Sequence, residues 1–157
     1  MKVRIVAVGR TRGVLEDAVR EYEERAGRYW KLEVEEVDAG AAGKDPAPQR
    51  VRSEEGERIL ARIPEGFEVF ALTREGRPMG SRDLARHMSE RMVHSVPGMA
   101  FIIGGAFGLD ASVVRRADRR LSLSSMTLPH EMARLFLAEQ LYRAGTILRH
   151  EPYHKGA

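Results

Sequence analysis

The sequence predicts one α/β domain built on a mainly parallel sheet with helices on both of its faces. Apolar, β-branched segments alternate with amphipathic segments along the chain, an order typical of the strands and helices of parallel sheets. Residues 99–103 are apolar at every position, which predicts a strand buried on both faces. The length of 157 residues suits one hydrophobic core, so we expect residues 1–157 to form a single domain.

Three strands and two helices are predicted in the first half of the chain. Residues 2–8 are mostly β-branched and apolar, and residues 14–30 repeat apolar side chains at the three- and four-residue spacing of an amphipathic helix. In residues 32–37 apolar and acidic side chains alternate, which predicts a strand with one solvent-facing side. The other segments of this half are a mobile loop rich in Ala, Gly and Pro at 39–49, a helix at about 49–63 and a strand at 67–72.

The second half contains the buried strand, one further strand and three helices. Ser81 precedes a helical pattern that runs to about His94, so we expect it to be the N-cap of that helix. After the buried strand, the predicted elements are a brief helix at 111–117, a strand at 120–123, a loop at 124–129, a last helix at 131–148 and a terminal tail.

Apolar side chains of the last helix surround it almost completely, and such a helix needs cover on more than one side. We therefore expect a homodimer that uses this helix, most simply with two-fold symmetry. The alternative is a helix held wholly inside one subunit. The apolar residues are Met132, Leu135, Phe136, Leu137, Leu141, Tyr142, Ile147 and Leu148.

The composition excludes several classes of site. With no cysteine, the chain has no disulfide, zinc–thiolate site, iron–sulfur cluster or thiol nucleophile. The apolar runs are too short to span a bilayer, and the N-terminus is typical of a first strand and not of a secretory signal. We expect a cytoplasmic protein.

The charge pattern leaves nucleic-acid binding open. Lys and Arg number 26 against 23 Asp and Glu, and the excess lies in the second half, which also holds all five histidines. Arginine far outnumbers lysine, which suits bidentate phosphate contacts and stacking on bases. The same composition is also typical of an ordinary solvated surface.

Two loops and one strand end predict a ligand pocket. Gly104, Gly105 and Gly108 follow the buried strand, so the backbone there can approach a ligand closely. A loop of small polar residues at 122–130 follows the next strand, and Leu72 and Thr73 end an earlier one. In parallel sheets such segments meet at the carboxyl edge, where ligands bind. A simple tight turn and a helix-capping segment are the alternatives. The spacing required for a P-loop or a dinucleotide fingerprint is absent.

Three motifs in order resemble the SPOUT class of methyltransferases, and within it the enzymes acting on N3 of a pseudouridine in large-subunit (23S) ribosomal RNA. They are IGGAFG at 103–108, LSLSSMTLPHEMARLFLAEQLYRA at 121–144 and HEPYHKG at 150–156. The resemblance extends over nearly the whole chain. It implies an α/β fold whose C-terminal segment forms a trefoil knot, a homodimer, and S-adenosylmethionine as cofactor, with no metal and no membrane partner.

The resemblance also implies site residues. The catalytic positions match His130, Arg143, Tyr153 and His154. The cofactor positions match Leu72, Gly105, Ser124, Ser125, Met126, Thr127, Leu128 and Pro129. Two departures from related sequences stand out: Ala106-Phe107 replace a Pro-Glu pair, and Lys155 replaces a terminal arginine, which keeps the charge but loses the planar fork.

Methyl transfer from a sulfonium releases a neutral thioether, so the site must mainly align the reactants and remove a proton from the imide. His154 has a suitable ordinary pKa, and Arg143 or Lys155 can stabilise the negative charge. The choice among them stays open. His130 can instead be structural, Arg143 can form a plain ion pair with Glu139, and the tail can be disordered.

The whole chain is needed for the catalytic fold, so we expect no appended RNA-binding module and recognition of the assembled ribosome by shape and phosphate contacts. Two rival functions remain. One is a non-catalytic RNA- or ribosome-binding protein without a cofactor, and the other is a different nucleotide-binding α/β enzyme. Binding of S-adenosylmethionine separates them.

Overall fold

The computed structural model describes residues 1–156, and Ala157 lies outside the described residues. Five strands form one sheet in the order β2-β1-β4-β3-β5, and all four strand pairings are parallel. The predicted parallel α/β architecture is thereby confirmed. The strands are β1 (Lys2–Val8), β2 (Lys31–Val37), β3 (Glu68–Pro78), β4 (Gly98–Ile103) and β5 (Arg119–Ser122).

Helices cover both faces of the sheet. They are α1 (Glu16–Gly27), α2 (Pro48–Leu60), α3 (Ser81–Val93), α4 (Ala111–Arg116) and α5 (His130–Leu148), with short 3-10 turns at Gly13–Leu15 and Pro152–His154. The helices α1, α3 and α5 pack on one face, and α2 and α4 on the other. None of the described helices combines the length and the apolar character needed to cross a membrane.

The strand β4 lies between β1 and β3 and is buried at every residue. Its side chains alternate between the two layers, as strand geometry requires. Phe101 and Ile103 join the core under α1, α3 and α5, whereas Ala100 and Ile102 join the core under α2 and α4. The expectation of a strand buried on both faces is confirmed.

The strand β3 is longer than the sequence predicted. It continues past Leu72 to Pro78, and its pairing with β5 shifts register between Leu72 and Arg77. The extension depends on a close approach at Gly76, where an added Cβ would lie 2.7 Å from the carbonyl carbon of Leu121 in β5. Only glycine permits this contact. The residues around Gly76 are mostly polar, so the apolar alternation that identifies a strand is absent there.

The predicted N-cap of α3 is wrong. Gly80 occupies that position, and the Ser81 hydroxyl instead donates a hydrogen bond of 2.6 Å to Oε1 of Gln140 in α5. A partner distant in sequence has therefore replaced the local capping interaction. The remaining helix boundaries lie within three residues of the predicted ones, and α1 begins only after the 3-10 turn at Gly13–Leu15.

The last helix, α5, packs between α1 and α3. Its Gly145 lies so close to Tyr29 that an added Cβ would overlap the aromatic ring. Next to this contact, the indole Nε1 of Trp30 donates a hydrogen bond of 2.8 Å to the carbonyl oxygen of Leu141. The helix therefore lies unusually close to the end of α1.

A buried charge network fixes the first turns of α5. Arg134 is 7% exposed, and its guanidinium donates to Glu23 in α1 at 2.6 Å and to Glu36 in β2 at 2.9 Å. Two carboxylates surround one cation, so the burial is compensated by charge-assisted hydrogen bonds. The network ties α5, α1 and the edge strand together.

Replacing Gly145 with Ala should lower the free energy of unfolding by about 1–3 kcal/mol, because the new methyl group must displace the Tyr29 ring. Urea denaturation followed by circular dichroism measures the change. The matched control is Gly27→Ala, since an added Cβ meets nothing within 4 Å there. Equal stability of both variants would contradict the packing argument.

Candidate functional site

A cleft of about 1030 Å³ opens at the carboxyl ends of the strands. Its walls are β3 from Leu72 to Glu75, the segment 103–109 after β4, and the segment 127–130 before α5. The structure thus brings together the three segments that the sequence singled out. Parallel pairing explains their meeting, because it places all strand ends at one edge of the sheet.

Most residues matched to cofactor positions border this cleft. Leu72, Gly105, Thr127, Leu128 and Pro129 line it directly.

Two more residues, Ser124 and Met126, line a smaller pocket of about 90 Å³ that shares Leu72 and Leu128 with the cleft. The Ser124 hydroxyl accepts a hydrogen bond of 3.0 Å from the amide of Met126, which shapes that loop. Ser125 lies in the same loop but borders neither cavity.

The segment from Gly104 to Gly108, the glycine loop, has no room for a side chain at its first two positions. An added Cβ at Gly105 would lie 2.9 Å from Cγ1 of Val8 and 3.0 Å from both carboxylate oxygens of Glu55, and at Gly104 it would lie 3.0 Å from Leu109. Gly108 has a φ of +80°, and its amide donates a hydrogen bond of 3.1 Å to the carbonyl oxygen of Gly105. The loop is therefore a tight turn, and its backbone also lines the cleft.

The far end of this loop is fixed by Asp110, the N-cap of α4. Its carboxylate accepts hydrogen bonds from the amide and the hydroxyl of Ser112, at 3.0 and 2.5 Å. These bonds favour the charged form and hold the pKa of Asp110 below its ordinary value. The loop between β4 and α4 is thus anchored at both ends.

Two buried polar atoms on lining residues have no hydrogen-bond partner. They are the hydroxyl oxygen of Thr73 and Nε2 of His130. Oε1 of Glu55, which packs against Gly105, is also buried without a partner. Buried polar groups are normally satisfied. The threonine hydroxyl and the imidazole nitrogen therefore suit a polar ligand in the cleft.

The cleft combines an apolar lining with a cationic rim. Arg52, Arg74 and Arg120 line it, and Glu75 is the one acidic residue among the described lining residues. Glu75 lies 3.8 Å from Arg74. The excess positive charge suits phosphate groups. Sequence reasoning missed these arginines because no motif distinguishes them from the other arginines of the chain.

The other candidate catalytic residues lie elsewhere in the same chain. Arg143 is 13 residues after His130 on α5, about 20 Å along the axis at the usual rise. The tail returns to this end of the helix, where the Tyr153 hydroxyl donates to Glu139 at 3.0 Å. Nδ1 of His154 is buried there without a partner. The structure therefore brings Arg143, Tyr153 and the tail together but separates them from the cleft.

All four tyrosines of the chain meet at this second site, which we call the tyrosine cluster. Its aromatic members are Tyr22, Tyr29, Tyr142 and Tyr153, with centroid separations of 4.5 to 6.3 Å between contacting rings. Arginine guanidiniums lie over several of these rings. Burial and the hydrogen bond to Glu151 raise the pKa of Tyr29 to about 12. The sequence alone showed no sign that these residues converge.

The described residues contain no group of three or more His, Asp or Glu side chains suited to a metal ion. The residues that line the cleft offer backbone amides, threonine hydroxyls, an imidazole and arginines. Such groups orient a substrate and stabilise negative charge.

Comparison with known proteins identifies the family. A model described as predicted SPOUT methyltransferase matches residues 1–154. A protein of Gemmatimonas aurantiaca named ribosomal RNA large subunit methyltransferase H is 49% identical over 99% of this chain and 100% of its own length. A protein of the same name from Syntrophotalea carbinolica is 45% identical over 98% of this chain and 99% of its own.

Solved structures share the fold at low sequence identity. One, described as a methyltransferase from Bordetella pertussis, superposes with a TM-score of 0.56 at 16% identity and covers 91% of this chain and 95% of its own. A methyltransferase structure from Legionella pneumophila, described as a complex with the cofactor SAM, gives 0.50 at 12% identity, covering 92% and 66%. The family match over almost the whole chain and the full-length relatives agree, and the chain belongs to the SPOUT methyltransferase family.

Proposed function

We propose that this protein transfers a methyl group from S-adenosylmethionine to N3 of a pseudouridine in large-subunit (23S) ribosomal RNA, within the assembled ribosome. The observation that carries the proposal is the cleft walled by glycine backbone at the carboxyl edge of the sheet. The names of the full-length relatives support the rRNA substrate. Action on ribosomes places the protein in the cytoplasm.

The cleft fits the cofactor. Its volume of about 1030 Å³ lies at the upper end of the usual range for ligand sites. Leu72, Leu128 and Ile103 offer an apolar surface for a flat adenine, and the bare backbone at Gly105 permits close approach. The free hydroxyl of Thr73 can bond a polar group. When bound, S-adenosylmethionine supplies the electrophilic methyl group.

The protein must remove a proton from the imide and stabilise the resulting negative charge. The imide N3 attacks well only after losing its proton, so the site needs a base and a positive charge. His154 and His130 each have a buried nitrogen without a hydrogen-bond partner, and Nε2 of His130 lies 3.7 Å from Oε1 of Glu131. Either imidazole can accept the proton. The guanidinium of Arg143 carries a positive charge that can stabilise the deprotonated pseudouridine. The resemblance to the family implies that these roles are shared among His130, Arg143, Tyr153 and His154.

A two-fold homodimer would bring the tyrosine cluster of one chain to the cleft of the other. Glu139 lies about 180° around α5 from His130, since nine residues separate the two positions. The reacting atoms must approach within about 3–3.5 Å, so the tail of one chain is too distant from its own cleft. The exposed Met132 and Phe136, one turn apart on α5, offer an apolar contact for a second copy. We propose that the partner's tail completes each cleft.

The ribosome is recognised by its phosphates and its shape. Arg52, Arg74 and Arg120 around the cleft suit phosphates flanking the target nucleotide. Phosphate contacts carry no sequence information by themselves. We therefore expect the selection of one pseudouridine to depend on the assembled structure that presents it. The trefoil knot implied by the resemblance is part of the same proposal, since it would hold the 124–129 loop against the glycine loop.

Calorimetry with S-adenosylmethionine should show saturable binding to the wild-type protein. Gly105→Ala should weaken it at least about fivefold, because the methyl group has no room beside Val8 and Glu55 and must shift the backbone that lines the cleft. Gly27→Ala is the control and should bind normally, with circular dichroism confirming that both variants are folded. Absence of binding to the wild type would favour the non-catalytic RNA-binding alternative.

A mixed dimer tests whether the partner completes the site. Deletion of residues 152–157 should abolish methylation, and Gly105→Ala should strongly reduce it at a low S-adenosylmethionine concentration, while both variants keep the dimer intact, as sedimentation can show. Dimers containing one copy of each variant, isolated with two affinity tags, should recover about half of the wild-type rate, because one of the two symmetric sites is complete. If the tail served its own chain, the mixed dimer would be nearly inactive.

Mass mapping of ribosomal RNA tests the substrate. RNA from a strain lacking the gene should lose one methylated pseudouridine, and complementation should restore it. Purified protein should methylate assembled ribosomes or subunits from that strain much faster than the protein-free RNA, because phosphate contacts alone do not specify the site. Equal methylation of a naked target hairpin would refute recognition of the assembled particle.

A further inference from the structure

Glu139 joins the tyrosine cluster through Tyr153 and binds several neighbouring side chains. Its Oε1 accepts hydrogen bonds from Nε and Nη2 of Arg143, at 2.9 and 2.6 Å, and from the Tyr153 hydroxyl at 3.0 Å. Its Oε2 accepts from Nε2 of Gln140 at 2.8 Å. The carboxylate is thus bonded to two of the three candidate catalytic residues of this site, Arg143 and Tyr153. The Glu139 and Arg143 side chains are only 20% and 23% exposed, unlike a solvated ion pair.

The network continues beyond the cluster. Gln140, which donates to Glu139, accepts from the Ser81 hydroxyl of α3 at 2.6 Å. The Tyr153 ring is held in turn by the Arg143 guanidinium, 5.0 Å from its centroid, and by the Tyr142 ring at 4.5 Å. Because these contacts restrain the ring, the direction of its hydroxyl depends on the hydrogen-bond partners around it.

The Tyr153 hydroxyl remains protonated at neutral pH. Burial raises the pKa of Tyr153, and the neighbouring Tyr22 hydroxyl and Glu139 raise it further. A charged carboxylate can only accept hydrogen bonds, so the phenolic proton points to Glu139. The phenolic oxygen, which also interacts with the Tyr22 hydroxyl, can then only accept a further hydrogen bond. Tyr153 is therefore unsuited to act as the base.

Pseudouridine and uridine differ in what such an acceptor can detect. Uridine is joined to its ribose through N1, whereas pseudouridine is joined through C5 and keeps a free N1–H. Both bases have the same carbonyl groups and the same imide N3–H. A fixed acceptor near N1 therefore favours pseudouridine, and a freely rotating hydroxyl would distinguish the two bases less well.

We propose that Glu139 is a positioning residue that fixes Arg143 and the Tyr153 hydroxyl, and that the Tyr153 oxygen selects pseudouridine by accepting a hydrogen bond from its N1–H. The inference rests on the proposed function and adds the basis of its base specificity. Arg143, already neutralised in part by Glu139, stays oriented for the charge that develops at N3 and its carbonyl groups.

The test compares methylation of ribosomes that carry pseudouridine or uridine at the target position, the latter from a strain lacking the responsible pseudouridine synthase. Wild-type protein should prefer pseudouridine. Tyr153→Phe and Glu139→Ala should reduce the ratio of the two kcat/KM values by about tenfold, as expected for one lost hydrogen bond. Glu139→Gln, which keeps an acceptor oxygen, should preserve more of the preference than Glu139→Ala.

The matched control is Glu16→Gln, which removes an exposed pair with Arg20 at the same four-residue spacing on α1. It should leave both rate and preference unchanged. A second readout does not depend on activity: ultraviolet titration should show Tyr153, identified by difference from Tyr153→Phe, ionising at lower pH in Glu139→Ala.

An unchanged base preference in Tyr153→Phe and Glu139→Ala would overturn the inference, even if both variants were slow. So would an unchanged ionisation of Tyr153 in Glu139→Ala. If the wild-type protein methylated neither kind of ribosome, the proposed function itself would fail and the inference with it. Equal methylation of pseudouridine-containing and uridine-containing ribosomes by the wild-type protein would refute the proposed selection of pseudouridine and leave the proposed function standing.

Discussion

Parallel pairing of β3 with β4 and with β5 is the constraint on which the site depends. In the order β4-β3-β5, the ends of β4 and β5 lie beside Ala71 and Leu72 in β3. The segments that follow β4 and β5 can then form one cleft with residues 72–75 of β3. Close backbone contacts at Gly76 and Gly105 hold this edge together, so its geometry is set by positions that lack a side chain.

The helix α5 connects the cleft to the tyrosine cluster. It begins at the cleft with His130, is tied to α1 and β2 by Arg134, and bears Glu139 and Arg143 on its later turns. A helix of 19 residues keeps the two sites apart within one chain. This separation is the structural reason for the proposal that a second copy completes each cleft.

Sequence patterns predicted elements whose burial is local and regular. The apolar run of β4 and the periodicity of α1 identified them, and the motif at 103–108 pointed to one wall of the cleft. Patterns failed where a distant partner decides the structure. Ser81 bonds to Gln140 instead of capping its helix, the second half of β3 depends on β5, and the rim residue Arg52 looks like any other surface arginine. The hydrogen bond between Glu139 and Tyr153 depends on the returning tail, which no local pattern describes.

The single tryptophan gives the molecule an intrinsic reporter. Trp30 follows α1, is 4% exposed and is bonded through its indole nitrogen to a carbonyl of α5. Its fluorescence therefore records whether the C-terminal helix has docked, although the residue itself belongs to the first fifth of the chain. A partly folded chain with its early strands and α1 formed but α5 still detached would emit at longer wavelength, so docking of the C-terminal helix has its own optical signal.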